Sequence, residues 1–137
     1  MQGEKDGDAT ATGGVRSRIE AVEHMREGLQ ILDDQLRYVY MNPAAAAHGQ
    51  RDRAELIGRK LTQMYPGVED TEMFKRLSRC LRERVADGMP NLFTFPDDSS
   101  RWFELRMQPV PEGVMVLSID VDRRKRLEEQ LGHAQRM

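Results

Sequence analysis

Residues 113–131 read GVMVLSIDVDRRKRLEEQL, and this stretch decides the fold. A run dominated by Val, Met, Leu and Ile, from Val114 to Ile119, predicts a strand covered on both faces and so central to a sheet. Within three residues it gives way to dense charge. Asp120 and Asp122 end the strand, and Asp122 stands where the N-cap of a helix is expected. That helix places Leu127, Leu131 and Ala134 at spacings of four and three, with charge elsewhere, which is an amphipathic pattern. The opposite-charge pairs Arg124–Glu128 and Lys125–Glu129 are spaced to support a solvated helix face. A central strand that feeds directly into such a helix has the form of an output joint.

Upstream, Val15, Ile19 and Val22 lie on one stripe and predict a helix over 15–27, closed by Gly28. Leu29–Leu32 and Arg37–Met41 then read as a hairpin turning at Asp33-Asp34-Gln35. Asn42 at the cap and Pro43 at the first helical position open a short helix through Ala47. Asp52 and Glu55 form a capping-box pattern ahead of Leu56 and Ile57, with Gly58 at the end.

Tyr65-Pro66-Gly67 is a turn, and a longer helix is predicted from about Thr71 to Asp87, with Met73, Leu77, Leu81 and Val85 on one side and Gly88 as its stop. Leu92–Phe95 and Trp102–Val110 are strands joined by a turn at Pro96–Ser100. Phe103, Leu105 and Met107 alternate with Glu104, Arg106 and Gln108, so the second of these strands is half buried and Trp102 faces away from Phe103. Pro111-Glu112-Gly113 returns the chain to the central strand. The order is helix, two strands, several helices, three strands, helix. It predicts an α+β fold: a five-stranded antiparallel sheet with helices on one face, flanked by N-terminal and C-terminal amphipathic helices.

Composition sets the outer bounds. A chain of 137 residues fits one domain with short flanks, and 39% hydrophobic content can supply a core. The net charge of −2 gives no electrostatic ground for nucleic-acid or membrane binding. Cys80 is the single cysteine, so an internal disulfide is excluded and a reducing, cytoplasmic setting is expected. No apolar run approaches the length of a membrane span. Residues 1–14 are rich in Gly, Asp, Thr and Ala and are expected to be a disordered tail.

Several motifs, in order, carry a resemblance to PAS sensor domains. YVYMNPAA (Tyr38–Ala45) resembles the second strand and the following helix start of that family, and RAELIG (Arg53–Gly58) resembles its Arg-Glu-Glu-Leu-Ile-Gly segment. Phe95–Leu105 resembles the hairpin between its third and fourth strands, with Asp98 where the family often has Gly. Asp120-Val121-Asp122-Arg123-Arg124-Lys125 resembles the Asp-Ile-Thr-Glu-Arg-Lys junction, with Asp122 in the place of Thr. The resemblance covers about residues 17–131 and implies a PAS domain over 28–122, an N-terminal helix over 15–27 and a signalling linker helix over 123–137. The closing residues resemble the linker into the dimerisation helices of a bacterial sensor histidine kinase.

This resemblance implies a sensory and dimerisation module that regulates a C-terminal histidine kinase in two-component signalling. Its expected partners are a second copy of the chain and the kinase dimerisation and catalytic domains. The alternative reading is a ligand-free scaffold used for dimerisation and protein–protein contact.

The stretch itself offers no enzyme site: His133 is followed by Ala134 rather than the acidic residue of a phosphoacceptor, and no Gly-rich phosphate loop occurs. No cofactor is expected, because Gly58 is followed by Arg59-Lys60-Leu61 rather than the flavin-thiol segment, and 71–87 contains no His. An unidentified small molecule is compatible with the family cavity, for which Tyr38, Tyr40, Met64, Met73, Phe74, Phe103 and Met107 are the candidate lining; the tyrosines are expected to share a face. His48 is within reach of the cavity mouth, where it is the alternative haem ligand, with a capping or surface role as the ordinary expectation. Cys80 reads as an inert helix residue. Asp120, Val121 and Asp122 are the candidate signalling junction, and Val15, Ile19, Val22, Leu127 and Leu131 the candidate dimer interface.

Overall fold

The computed structural model describes residues 17–136, and the side chains of residues 17–132. A short helix α1 (17–23) leads into β1 (Gly28–Asp33) and β2 (Tyr38–Met41). Helices α2 (Pro43–Gly49), α3 (Arg53–Leu56) and α4 (Leu61–Met64) follow, then a 3-10 turn at Val68–Asp70 and α5 (Glu72–Glu83). Strands β3 (Asp87–Thr94), β4 (Ser100–Val110) and β5 (Gly113–Asp120) complete the sheet, and α6 (Asp122–Arg136) leaves it. The expected α+β arrangement is present: one five-stranded sheet in the order β2-β1-β5-β4-β3, with every neighbouring pair antiparallel.

β5 is the central strand, as its apolar run implies. It pairs with β4 along its full length on one edge and with β1 from Gly113 to Ser118 on the other. Val114, Val116 and Ser118 are buried in it, and Leu32, Leu77, Cys80 and Met107 pack into the same core at 1% exposure or less.

Three boundaries differ from the sequence reading. The first helix stops at 23, not 27, and residues 1–16, including the expected tail and Val15, lie outside the described residues. The long helix ends at Glu83 rather than Asp87, because Arg84 takes a left-handed C-cap conformation (φ 58°) and its guanidinium donates to the carbonyls of Gly113 and Val110. β3 therefore begins at Asp87, five residues before the expected Leu92, and Gly88 is a strand residue rather than a helix stop. Pro90 is tolerated there because β3 is an edge strand, where one missing N–H leaves no ladder bond unmade on the open side. The capping box is half formed: Asp52 accepts from the Ala54 N–H, but Glu55 turns away to pair with Arg51 at 2.6 Å.

Asn42 explains how the helical layer is fastened to the sheet. It is fully buried, and its carbonyl oxygen accepts from the N–H groups of both Ala45, capping α2, and Leu29 in β1, each at 2.9 Å. Its amide nitrogen donates to the carbonyls of Val22 and Glu27 at 3.0 and 3.1 Å. One side chain thus satisfies four backbone groups in α1, the α1–β1 link, β1 and α2. Nearby, Gly28 is obligatory, since a Cβ there would lie 2.3 Å from the Ser118 hydroxyl and 2.8 Å from the Ala45 Cα.

Truncating Asn42 strands buried donors and acceptors together. Asn42→Ala should lower the unfolding free energy by about 2–4 kcal/mol in urea denaturation. A loss below about 1 kcal/mol would show that water or a rearranged loop replaces these bonds.

Candidate functional site

Between the sheet and helices α2–α5 lies a partly open cavity of about 870 Å³. Its floor is the inner face of β1, β5 and β4, through Leu32, Val116, Ser118, Phe103 and Leu105. The helical side contributes Ala45, His48, Leu56, Leu61, Met73 and Leu77, and β3 brings Asn91 and Phe93.

Of the expected lining, Tyr38, Met73 and Phe103 are on the wall, whereas Tyr40, Met64, Phe74 and Met107 are not. The two tyrosines do not share a face. A bulge between Ile31 and Leu32 leaves Leu32 opposite Tyr38 and Ile31 opposite Tyr40, so the alternation between them is broken. Tyr38 turns into the cavity; the Tyr40 hydroxyl donates to Glu23 at the end of α1, at 2.7 Å. Burial, then that carboxylate, pushes the Tyr40 phenol up to about 12. Glu23 also pairs with Arg53 at 2.9 Å, and this guanidinium, followed by the Tyr40 bond, holds its carboxyl below the usual range. Met107 follows Phe103 by four residues on the same strand face and is closed into the core. Met64 and Phe74 pack against the core from α4 and α5 without reaching the cavity.

His48 is neither a helix cap nor a surface residue. It lies half buried on the cavity wall, with its Nδ1 2.9 Å from the Ser118 hydroxyl and its ring 4.9 Å from that of Phe103, tilted by 36°. Ser118 is the residue that sequence reasoning passed over. The available signal was a hydroxyl inside an apolar central strand, since a buried polar group demands a partner. Cys80 is fully buried in α5, and burial pushes its thiol up, consistent with an inert role.

At the far end of β5 the junction is held differently from the expected cap. Asp122 is the first residue of α6, and its carboxylate accepts from the Trp102 N–H of β4 at 3.0 Å and from Arg126 at 2.9 Å. The Arg126 guanidinium, then the Trp102 bond, keeps the Asp122 carboxyl below its ordinary value. The bond to the start of the helix comes instead from Asp120, which accepts from the Asp122 N–H at 3.1 Å. Val121 donates its N–H to the Trp102 carbonyl at 3.1 Å. Trp102 thus holds both residues that follow β5, and its ring lies under Lys125 at 5.6 Å. Lys125 is drawn to that ring, while Arg124 lies within 3.7 Å of Glu128.

The candidate dimer residues Ile19, Leu127 and Leu131 are 54%, 49% and 63% exposed, so these apolar side chains are uncovered in the single chain. Val22 is half buried beside the Asn42 anchor, and the Ala134 side chain lies outside those described. Asp98 takes the left-handed conformation (φ 68°) at the β3–β4 turn, which Asp tolerates better than most residues. Among the described residues, no group of three or more His, Cys, Asp or Glu could hold a metal ion. No described helix is long and apolar enough to cross a membrane.

Burial lowers the His48 pKa from the ordinary 6.5; Asp120 and Glu27 oppose this and Arg101 adds to it. An imidazole harder to protonate in the fold than in the unfolded chain makes the unfolded chain bind more protons. Its contribution is complete above the unfolded pKa and is lost as pH falls below it toward the folded value. Urea unfolding between about pH 7.5 and about pH 5 should therefore show a stability loss that is smaller in His48→Gln. Equal pH slopes in the two proteins would contradict this environment for His48.

Comparison with known proteins places this architecture. A family model described as the PAS fold matches residues 22–126. No curated protein matches the chain by sequence. Among solved structures, a domain of a sensory box sensor histidine kinase/response regulator from Geobacter sulfurreducens superposes with a TM-score of 0.65 at 18% identity, covering 78% of this chain and 94% of that one. The PAS domain of nitrogen regulation protein NR(II) from Vibrio parahaemolyticus gives 0.56 at 18%, covering 72% and 93%. The PAS domain of Bordetella pertussis BvgS gives 0.63 at 14%, covering 93% and 97%. At such identities the structural likeness speaks for the fold, and the family match agrees with it. With its sheet order, cavity and strand-to-helix junction, the chain belongs to the PAS fold family.

Proposed function

We propose that this chain is the sensory module of a signalling protein, in which a change in the cavity or at a dimer contact passes through β5 to α6 and on to a histidine kinase. The observation that carries the reading is that one strand serves both ends. Ser118 of β5 is a cavity wall residue bonded to His48, and two residues later Asp120 begins the junction clamped by Trp102. A shift of β5 against β4 would load the bonds by which Asp122 and Val121 hold Trp102 at the root of α6, and this supports the route.

The exposed side chains Ile19, Leu127 and Leu131 support a parallel homodimer with α1 and α6 at its interface, helped by the domain surface because each stripe is short. In this reading the module is non-catalytic and cytoplasmic, and its partners are a second copy and the kinase domains of the full-length protein. The likeness to a domain of a sensory box sensor histidine kinase/response regulator and to the PAS domain of NR(II) is the support for that output. The alternative, a scaffold whose cavity is filled by its own side chains, is weakened by an open volume of about 870 Å³ and by Met64, Phe74 and Met107 lying outside it.

The test is the clamp. Asp122→Ala strands the Trp102 N–H and leaves Arg126 only its bond to the Ser100 carbonyl, which costs about 1–3 kcal/mol, within the ~5–15 kcal/mol of a typical domain. The domain should stay folded by thermal unfolding, while autophosphorylation of the full-length kinase loses its normal regulation. Unchanged regulation in a folded variant would remove the junction from the signalling path.

A further inference from the structure

The chemistry of the cavity wall narrows what it can hold. Among the described residues no Asp, Glu or Lys lines it, and the one permanently charged side chain that does, Arg51, is already engaged. That guanidinium donates to the Met64 carbonyl at 2.8 Å and to Glu55 at 2.6 Å, and lies 5.1 Å over the Tyr65 ring. An anion would find no free counter-charge there, and a cation would find no carboxylate. Burying an unpaired charge is far costlier than leaving a neutral ligand to make ordinary contacts.

Two features give the neutral occupant its shape and its polar end. Phe93 stands edge-on to Phe95 at 5.0 Å and to Tyr65 at 6.1 Å, while Phe103 and His48 form a second aromatic surface. Such walls favour a flat ring through offset and edge contacts. Tyr38 is 4% exposed, lines the cavity, and its hydroxyl has no hydrogen-bond partner among the described residues. No sealed side-chain nitrogen or oxygen among the described residues lacks a partner, so this hydroxyl opens onto the cavity space, where it is free to donate to a bound molecule.

We propose that the cavity takes a neutral, largely apolar molecule that carries a ring and a hydrogen-bond acceptor, with the Tyr38 hydroxyl donating to that acceptor. This rests on the reading of the cavity as the sensory pocket. A volume of about 870 Å³ lies within the ~300–1,000 Å³ of typical small-molecule sites.

Four probes of similar size separate the possibilities: acetylnaphthalene, ethylnaphthalene, naphthoate and aminomethylnaphthalene, titrated into the 137-residue chain by calorimetry. Acetylnaphthalene should bind best, with both charged probes weaker by at least about tenfold. Tyr38→Phe should weaken acetylnaphthalene by about three- to tenfold and leave ethylnaphthalene unchanged. The comparison of acetyl and ethyl probes in the parent protein decides the hydrogen bond even if that variant folds poorly. Equal binding of those two probes, or tighter binding of either charged probe, overturns the ligand class and leaves the sensory pocket standing. Failure of all four to bind overturns both.

Discussion

Strand β5 is hydrogen-bonded along both edges, to β1 and to β4, and the functional parts of the molecule depend on that double pairing. A strand locked on both sides cannot slip by one residue without moving its buried side chains to the wrong face. Its inner face therefore presents Val114, Val116 and Ser118 reliably to the core and cavity. Its end delivers Asp120, Val121 and Asp122 to the first residues of β4. Cavity and helix root are thereby joined by a few residues of stiff backbone, which is the physical basis for the proposed coupling.

The helical layer packs on this sheet through an apolar core, with Leu56, Leu61, Leu77 and Cys80 against Leu32, Met107 and Val114, and polar bonds fix its position at particular points. Asn42 ties together α1, β1 and α2, while His48 and Ser118 bridge α2 to β5 across the space that Gly28 keeps clear. Hydrogen bonds of this kind are directional and intolerant of missing partners, whereas apolar contacts along the cavity can adjust. α1 is fastened by the same region, because Glu23 receives both Tyr40 and Arg53. A change at α2 thus has a defined route to the central strand and another to the N-terminal helix.

Much of this was legible from residues alone where period and punctuation agreed. The centrality of β5, the inward set Phe103, Leu105 and Met107, and the Asn42-Pro43 helix start all follow from local chemistry. The site was harder to see. Regular strand alternation puts Tyr40 in the cavity beside Tyr38, and the bulge opposite Ile31 and Leu32 that turns it away has no residue signature. α5 ends before the Gly88 stop signal because Arg84 adopts a left-handed cap that its tertiary bonds to Gly113 and Val110 reward. Asp122 has the right residue type for a cap, but Trp102 lies close enough in space to take its carboxylate. Each difference arises where a contact distant in sequence outcompetes a local preference.

The central claim is that β5 carries a change at the cavity wall to the root of α6. Ser118→Ala removes the bond to His48 without touching any group that holds α6, so backbone amide hydrogen exchange in that variant is the most direct measurement. The account predicts faster exchange along β5 that extends to the Val121 N–H, bonded to Trp102, and to the Lys125 N–H in the first turn of α6. Exchange altered only in α2 and the cavity wall, with Val121 and Lys125 unchanged, would contradict it.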